Sequence, residues 1–174
     1  MHLIINVHHF PVPLHPLIPR APDVLAASDA SKMGMGGFWV THHPVQIEEV
    51  QGYLWHSPIP LDVQDQLVSI HNPQGSLTNS NLELMALLLT AILAQTTMSK
   101  PHPNIVVASD NIPAISWVRK GTTTSVKAPA YLLQLLAAAR HAAPFSLTSV
   151  YTPVVSNKLA DCCSCTATLL DLAF

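Results

Sequence analysis

Between Asn79 and Ser99 the chain carries one charge, Glu83, set in a run of Leu, Ala, Met, Ile and Thr. Asn79, Ser80 and Asn81 are good N-cap residues, and the pattern predicts a helix from there to about Thr97. Its apolar residues lie almost all the way round, so the helix must be buried and packed on more than one side. A membrane span is the other home for such a helix. The longest apolar run, 82–94, contains Glu83 and Thr90 and falls short of the ~18 residues a span needs. The chain therefore reads as a layered globular domain with no membrane segment.

The segments around this helix alternate in character. Val24 to Ser28 is a short apolar strand, followed by Asp29-Ala30-Ser31-Lys32 and by Gly34, Gly36 and Gly37; Phe38, Trp39 and Val40 resume a strand. Strand, glycine-containing turn and strand predict an antiparallel hairpin. Gly52 to His56 reads as a third strand ended by Pro58 and Pro60, and residues 57–77 read as a loop. Beyond Pro101 and Pro103, Ile105 to Ala108 is a continuous apolar run, as expected of a central strand buried on both faces. Asn111 caps a helix with Pro113 in its first turn and Gly121 at its end. Residues 130–142 form a further helix, Ser146 to Tyr151 a last strand, and Ser156 caps a final helix to about Cys165. The order β-β-β-α-β-α-α-β-α predicts an α/β fold, a mixed sheet with helices on its faces and right-handed crossovers.

The domain starts at residue 22. Residues 1–21 are too rich in proline for regular structure and read as an extended arm or linker whose histidines are polar spacers. His42 and His43 read as loop residues without a role. The apolar start, Met1 to Val7, lacks the cationic flank and small-residue cleavage site of a signal peptide.

A length of 174 residues suits one such domain, and 49% hydrophobic residues fill its core. Only 10% are charged and the net charge is −2, so nothing in the overall charge attracts nucleic acid. Any phosphate must be gripped locally, or through bound cations. The three cysteines, Cys162, Cys163 and Cys165, lie within four residues. They permit no long-range disulfide, lack a zinc-site spacing, and fit a reducing intracellular compartment.

Ten acidic residues are present, and four sit where a charge is costly. Asp29 follows an apolar strand, Glu83 lies in the apolar helix, Asp110 ends the central strand, and Asp161 stands beside Leu159 and Ala160. A carboxylate in apolar surroundings destabilises the fold unless paired or bound to metal. Lys32 and Arg119 can each reach one site and not all four, whereas a shared divalent cation offsets the whole set. Each residue alone also has an ordinary reading: Asp29 in a turn, Asp110 as an N-cap, Glu83 facing solvent in a first helical turn, Asp161 on the surface.

Four stretches taken together resemble the ribonuclease H domain that follows the polymerase in retrotransposon reverse transcriptases. They are Ser28-Asp29-Ala30-Ser31 with Gly34-Met35-Gly36-Gly37, Thr78-Asn79-Ser80-Asn81-Leu82-Glu83-Leu84, Ala108-Ser109-Asp110-Asn111 with Ala114, and Asn157-Lys158-Leu159-Ala160-Asp161. The resemblance spans about residues 22–165. It implies a ribonuclease H-like fold, a five-stranded mixed sheet of order 3-2-1-4-5 with helices on both faces. It implies four catalytic, metal-binding carboxylates, Asp29, Glu83, Asp110 and Asp161, holding two Mg²⁺ with Mn²⁺ as substitute. Asp29 would bridge both ions, Glu83 and Asp110 would complete the one at the leaving oxygen, and Asp161 would hold the one that activates water. Two metals about 3.5–4 Å apart stabilise both oxygens of an in-line displacement at phosphorus. The implied substrate is the RNA strand of an RNA–DNA hybrid, contacted by Ser31, Lys32, Asn111, Asn157 and Lys158, and the implied partner is a polymerase domain in a parent polyprotein.

The sequence departs from that pattern in three places. Tyr151 stands where the family often has a histidine, ten residues before the last Asp. Val154 replaces a usual glycine, and the basic residue after the last motif is missing, with Cys163-Ser164-Cys165 in its region. A catalytically decayed domain that only positions substrate is therefore an alternative. A proofreading exonuclease would show Asp-x-Glu at the first motif, and an integrase a His/Cys module upstream; neither is present. A protein-interaction module built on the Leu/Ala-rich residues 130–142 is the alternative from another class.

Overall fold

The computed structural model describes residues 21–41, 51–124 and 127–165. Residues 1–20 of the expected arm, and His42 and His43, lie outside the described residues. The strands are β1 (Val24–Ala30), β2 (Gly34–Thr41), β3 (Gln51–Pro58), β4 (Asn104–Ser109) and β5 (Ser146–Tyr151). The helices are α1 (Leu61–Gln64), α2 (Asn79–Thr96), α3 (Ile112–Lys120), α4 (Ala128–Ala142) and α5 (Lys158–Cys165). One five-stranded sheet has the order β3-β2-β1-β4-β5. β1 pairs antiparallel with β2 and parallel with β4, and β4 pairs parallel with β5.

Asp23 sets the β1–β4 register. Its carboxylate accepts from the Asn104 backbone N–H at 2.8 Å and pairs with Lys100 Nζ at 2.6 Å, while its own N–H donates to Asn104 O at 2.8 Å. Val24 then lies beside Ile105, and the ladder runs to Ala27 beside Ala108. Both strands are thereby brought to the same end of the sheet.

Two neighbouring glycines of β2 show which helix covers which face. A Cβ on Gly37 would fall 2.7 Å from Thr90 Oγ1 of α2, and one on Gly36 would collide with the Cys163 main chain of α5. Successive strand residues point to opposite faces, so α2 and α5 cover opposite sides of the sheet. On the α2 side Val24, Ala26, Trp39, Ile105 and Val107 meet Leu84, Leu87, Leu88 and Ala91, with α4 adding Leu132 and Leu136. This explains the all-round apolar character of α2: the sheet, α3 and α4 all pack on it. Its threonines accept from ring N–H groups that would otherwise be buried unpaired: Trp55 Nε1 donates to Thr90 Oγ1 at 2.9 Å and Trp39 Nε1 to Thr97 Oγ1 at 3.1 Å. No helix among the described residues is long and apolar enough to cross a membrane.

Local details differ from the sequence reading at three points. The segment 57–77 is an ordered excursion. It holds α1 and a Leu67–Leu77 bridge, and Ile59 and Leu67 are buried against Leu82 and Ala86. The cap of α2 is Thr78, one residue earlier than expected, with its N–H donating to Asn81 Oδ1 at 2.8 Å. Ser156 ends a 3₁₀ turn over Val154–Ser156, and α5 starts after Asn157, whose carbonyl accepts from Asp161 N–H. Asn111 and Gly121 cap α3 as its sequence implies.

The contact of Gly36 with α5 leaves no room for a methyl group. Gly36→Ala is expected to cost about 1–3 kcal/mol through overpacking, whereas Gly52→Ala, whose Cβ would meet nothing nearer than 4.0 Å, should stay within ~0.5 kcal/mol of wild type. Urea denaturation of both variants measures the difference; equal midpoints would contradict the packing described.

Candidate metal centre

Carrying the β1–β4 register two residues past Ala27 and Ala108 puts Asp29 beside Asp110. Both lie at the carboxyl ends of parallel strands, at the point where β1 switches from a parallel to an antiparallel neighbour, a crevice where α/β sheets bind ligands. Glu83 reaches the same place from the second turn of α2. One carboxylate oxygen from each of Asp29, Glu83 and Asp110 lies within 4.8 Å of the others. Glu83 is 3% exposed and Asp29 8%. The reading of Glu83 as a solvent-facing first-turn residue therefore does not hold.

The electrostatics follow from that crowding. Burial, then the charges of Asp29 and Asp110, push the Glu83 carboxyl from 4.5 up to about 8, against the opposing pull of the Ala30 N–H and the Asn79 amide. Asp29 is also raised, first by burial and then by Asp110 and Asp161, although the Ser164 hydroxyl works the other way. That hydroxyl donates to Asp29 Oδ2 at 2.5 Å and lies 2.9 Å from the Asp161 carbonyl oxygen. Glu83 Oε1 has a long contact with Asn79 Nδ2, 3.4 Å, and Glu83 Oε2 is buried without a hydrogen-bond partner. Among the described residues no cation pairs with any of the three carboxylates. Arg119, one of the two cations that the sequence offered, donates instead to Ser149 O at 3.0 Å. An all-oxygen cluster with an orphaned buried oxygen suits a hard divalent cation.

Asp161, the fourth expected ligand, stands apart from this trio. Its side chain is exposed on the first turn of α5, and Cys165 Sγ approaches its Oδ1 at 3.7 Å. It is near enough to oppose ionisation of Asp29. The residues expected to touch substrate divide into two groups. Ser31 is tied into the β1–β2 turn and donates to the carbonyls of Gly34 and Ser164, at 3.2 Å each. Asn111 Oδ1 accepts from Ala114 N–H at 3.1 Å as the α3 cap. Asn157 is 2% exposed and its amide donates to Ser28 O at 3.1 Å, joining α5 to β1. These three side chains are committed to the scaffold; Lys32 and Lys158 are exposed. Tyr151 is exposed at the end of β5, and Val154 is exposed in the 3₁₀ turn.

Sequence reasoning did not single out Ser164. It lies three residues after Asp161, on the same helical face, but its partner Asp29 is 135 residues away. His56 Nδ1 meets Cys163 O at 2.6 Å, a tie between β3 and α5 that likewise has no signature in the sequence.

No protein-family model matches the sequence, and no curated protein sequence matches it either. Solved structures do. RNase H1 from the archaeon Halobacterium salinarum aligns with a TM-score of 0.53 at 16% identity, over 80% of this chain and 92% of that one. LC11-RNase H1, solved in complex with an RNA/DNA hybrid, aligns with a TM-score of 0.54 at 14% identity, again over 80% and 92%. The N-terminal RNase H domain of rv2228c from Mycobacterium tuberculosis gives 0.50 at 12% identity, over 82% and 91%. With the strand order 3-2-1-4-5, these alignments show that the chain has the ribonuclease H fold.

Proposed function

We propose that this domain is a metal-dependent endoribonuclease that cuts the RNA strand of RNA–DNA hybrids, as part of a retroelement reverse transcriptase. The observation that carries this reading is the meeting of Asp29, Glu83 and Asp110 at one end of the sheet, the first two buried and none paired with a cation among the described residues. Such an arrangement is unfavourable by itself and becomes favourable once divalent cations enter. The orphaned Glu83 Oε2 and the oxygen-only donor set fit Mg²⁺, with Mn²⁺ as substitute.

In this reading Asp29, Glu83 and Asp110 hold the cations, and Asp161, exposed at the rim, completes the set from α5. Bound there, two cations would stabilise the attacking and leaving oxygens of an in-line displacement at phosphorus. The chain's own part is positional. Ser164, by donating to Asp29 Oδ2, fixes that carboxylate. The rigid ends of β1 and β4 hold the trio in place, so little reorganisation accompanies the reaction. The 2′-hydroxyl gives a protein the means to tell the RNA strand from DNA.

A catalytically decayed domain that positions substrate for a polymerase is the second reading. Two observations favour it: Tyr151 is exposed where the family often has a histidine, and Asp161 stands outside the trio. One assay separates the readings: incubation with an end-labelled RNA–DNA hybrid and Mg²⁺ or Mn²⁺. The nuclease reading predicts metal-dependent cutting of the RNA strand, reduced roughly 10³-fold or more in Asp110→Asn because several kcal/mol of charge stabilisation is lost. A folded wild type that leaves the hybrid intact would assign the domain to the second reading.

The crowded carboxylates, Glu83 and Asp29 buried among them, also set a pH dependence. Glu83 holds its proton up to about pH 8 in the folded state, against 4.5 ordinarily. The folded state therefore binds more protons than the unfolded one in that window, and stability falls as pH rises through it. The raised Asp29 has the same sign. In chelator, the melting temperature should drop between pH 5 and pH 8, and Glu83→Gln should flatten that drop. Mg²⁺ at pH 8 should restore stability to wild type much more than to Glu83→Gln. Parallel profiles for the two proteins would contradict the buried trio.

A further inference from the structure

Beside the carboxylates lies a second cleft of about 340 Å³, of mixed polar and apolar lining, that no step above uses. Lys32 and Asn79 form one wall; Asp65, Ser69, His71 and Asn72, all from the excursion between β3 and α2, form the other. The two sites adjoin, since Lys32 is three residues beyond Asp29 and the Asn79 amide contacts Glu83 Oε1. We infer that this cleft is a phosphate-binding subsite in which Lys32 and His71 grip the backbone of the nucleic acid that enters the metal centre. This rests on the nuclease reading for the ligand's identity, and on the cleft's own residues for the binding.

The outer wall is built to hold its shape. Val68 N–H donates to Leu77 O at 2.7 Å and Leu77 N–H to Gln66 O at 3.0 Å. Asn72 N–H donates to Ser69 Oγ at 3.0 Å and its side-chain amide to Asp65 O at 2.8 Å. Gly75 passes so close to the Gln66–Val68 main chain that a Cβ would lie 2.6–2.7 Å from it. The amide of Asn72 is thus spent on the wall and that of Asn79 on Glu83. The Lys32 ammonium and the His71 ring make no hydrogen bond or ion pair among the described residues, and both are exposed. Both are unused donors of the cleft, and an ammonium is a good point charge for phosphate. Next to His71 the tip carries Ile70, 97% exposed, an apolar contact for a sugar or base beside the gripped phosphate.

The charge balance makes the subsite testable. A chain of net charge −2 cannot hold a polyanion by its overall field, and the carboxylate trio repels one until cations bind. Asp65 opposes Lys32 within the cleft, so removing either charge should shift affinity in opposite directions.

The experiment uses the full chain and a fluorescently labelled RNA–DNA hybrid, with binding followed by anisotropy in chelator at several salt concentrations, and cleavage followed separately with Mg²⁺. Lys32→Gln and His71→Gln should weaken binding, Lys32→Gln by roughly three- to ten-fold, with the log–log salt slope shallower by about one for the lost phosphate contact. Asp65→Asn should tighten it. All three positions are exposed, and melting curves matching wild type confirm the fold; if one variant fails to fold, the other two still give opposite signs. Unchanged affinity in Lys32→Gln and His71→Gln would overturn the subsite, and so would a wild type that binds no hybrid at low salt. A wild type that binds with these signs but does not cut would leave the subsite standing and remove the nuclease reading.

Discussion

At the start of β1 and β4 the Asp23 carboxylate takes hydrogen bonds from Asn104 and Lys100 and locks the two strands in parallel register. The site at the far end depends on that clamp. A slip of one residue would turn Asp29 to the opposite face of the sheet and separate it from Asp110. With the register held, α2 needs only its packing on the same sheet to bring Glu83 in. That packing is dense: Leu84, Leu87 and Ala91 are completely buried. The carboxylates are therefore held together against desolvation and mutual repulsion by interactions made elsewhere. Energy of this kind is stored by a rigid scaffold and released when a ligand neutralises the charge.

The opposite face follows a different rule. α5 sits so close to β2 that Gly34 and Gly36 admit no side chain, and this approach carries Ser164 to Asp29. One helix thus supplies the hydroxyl that orients a buried carboxylate and, a turn earlier, the exposed Asp161. Asn157 ties the start of that helix to β1 through a buried hydrogen bond. Three residues that a motif reading assigns to substrate, Ser31, Asn111 and Asn157, turn out to hold the frame. Of the residues expected at substrate, Lys32 and Lys158 keep exposed side chains.

Much of this was legible in the sequence, for identifiable reasons. The all-round apolar pattern of 79–97 marked a helix buried on several sides, and the unbroken run Ile105–Ala108 marked a central strand. The order of elements pointed to a mixed sheet with helices on its faces, and the family resemblance carried by the four acidic motifs implied the order β3-β2-β1-β4-β5 that the structure has. Glu83 stood out because it is the one charge in its helix. What stayed hidden depends on contacts between residues far apart in the chain. Ser164 with Asp29, His56 with Cys163 and Asp23 with Lys100 are of this type. The prolines of 57–77 break any periodicity and so suggest a loop, yet Ile59 and Leu67 anchor the segment in the core. Asp161 has the motif spacing, while its exposure depends on where α5 ends its approach to β2.

A cation that enters the carboxylate trio must displace the proton held by buried Glu83, and calorimetry tests this directly. Mg²⁺ would be titrated into the domain at pH 7 in buffers of different ionisation enthalpy, which yields the protons released per binding event. With Glu83 held protonated to about pH 8, the account predicts release of close to one proton by wild type and little by Glu83→Gln. Binding without proton release, or release unchanged in Glu83→Gln, would contradict it.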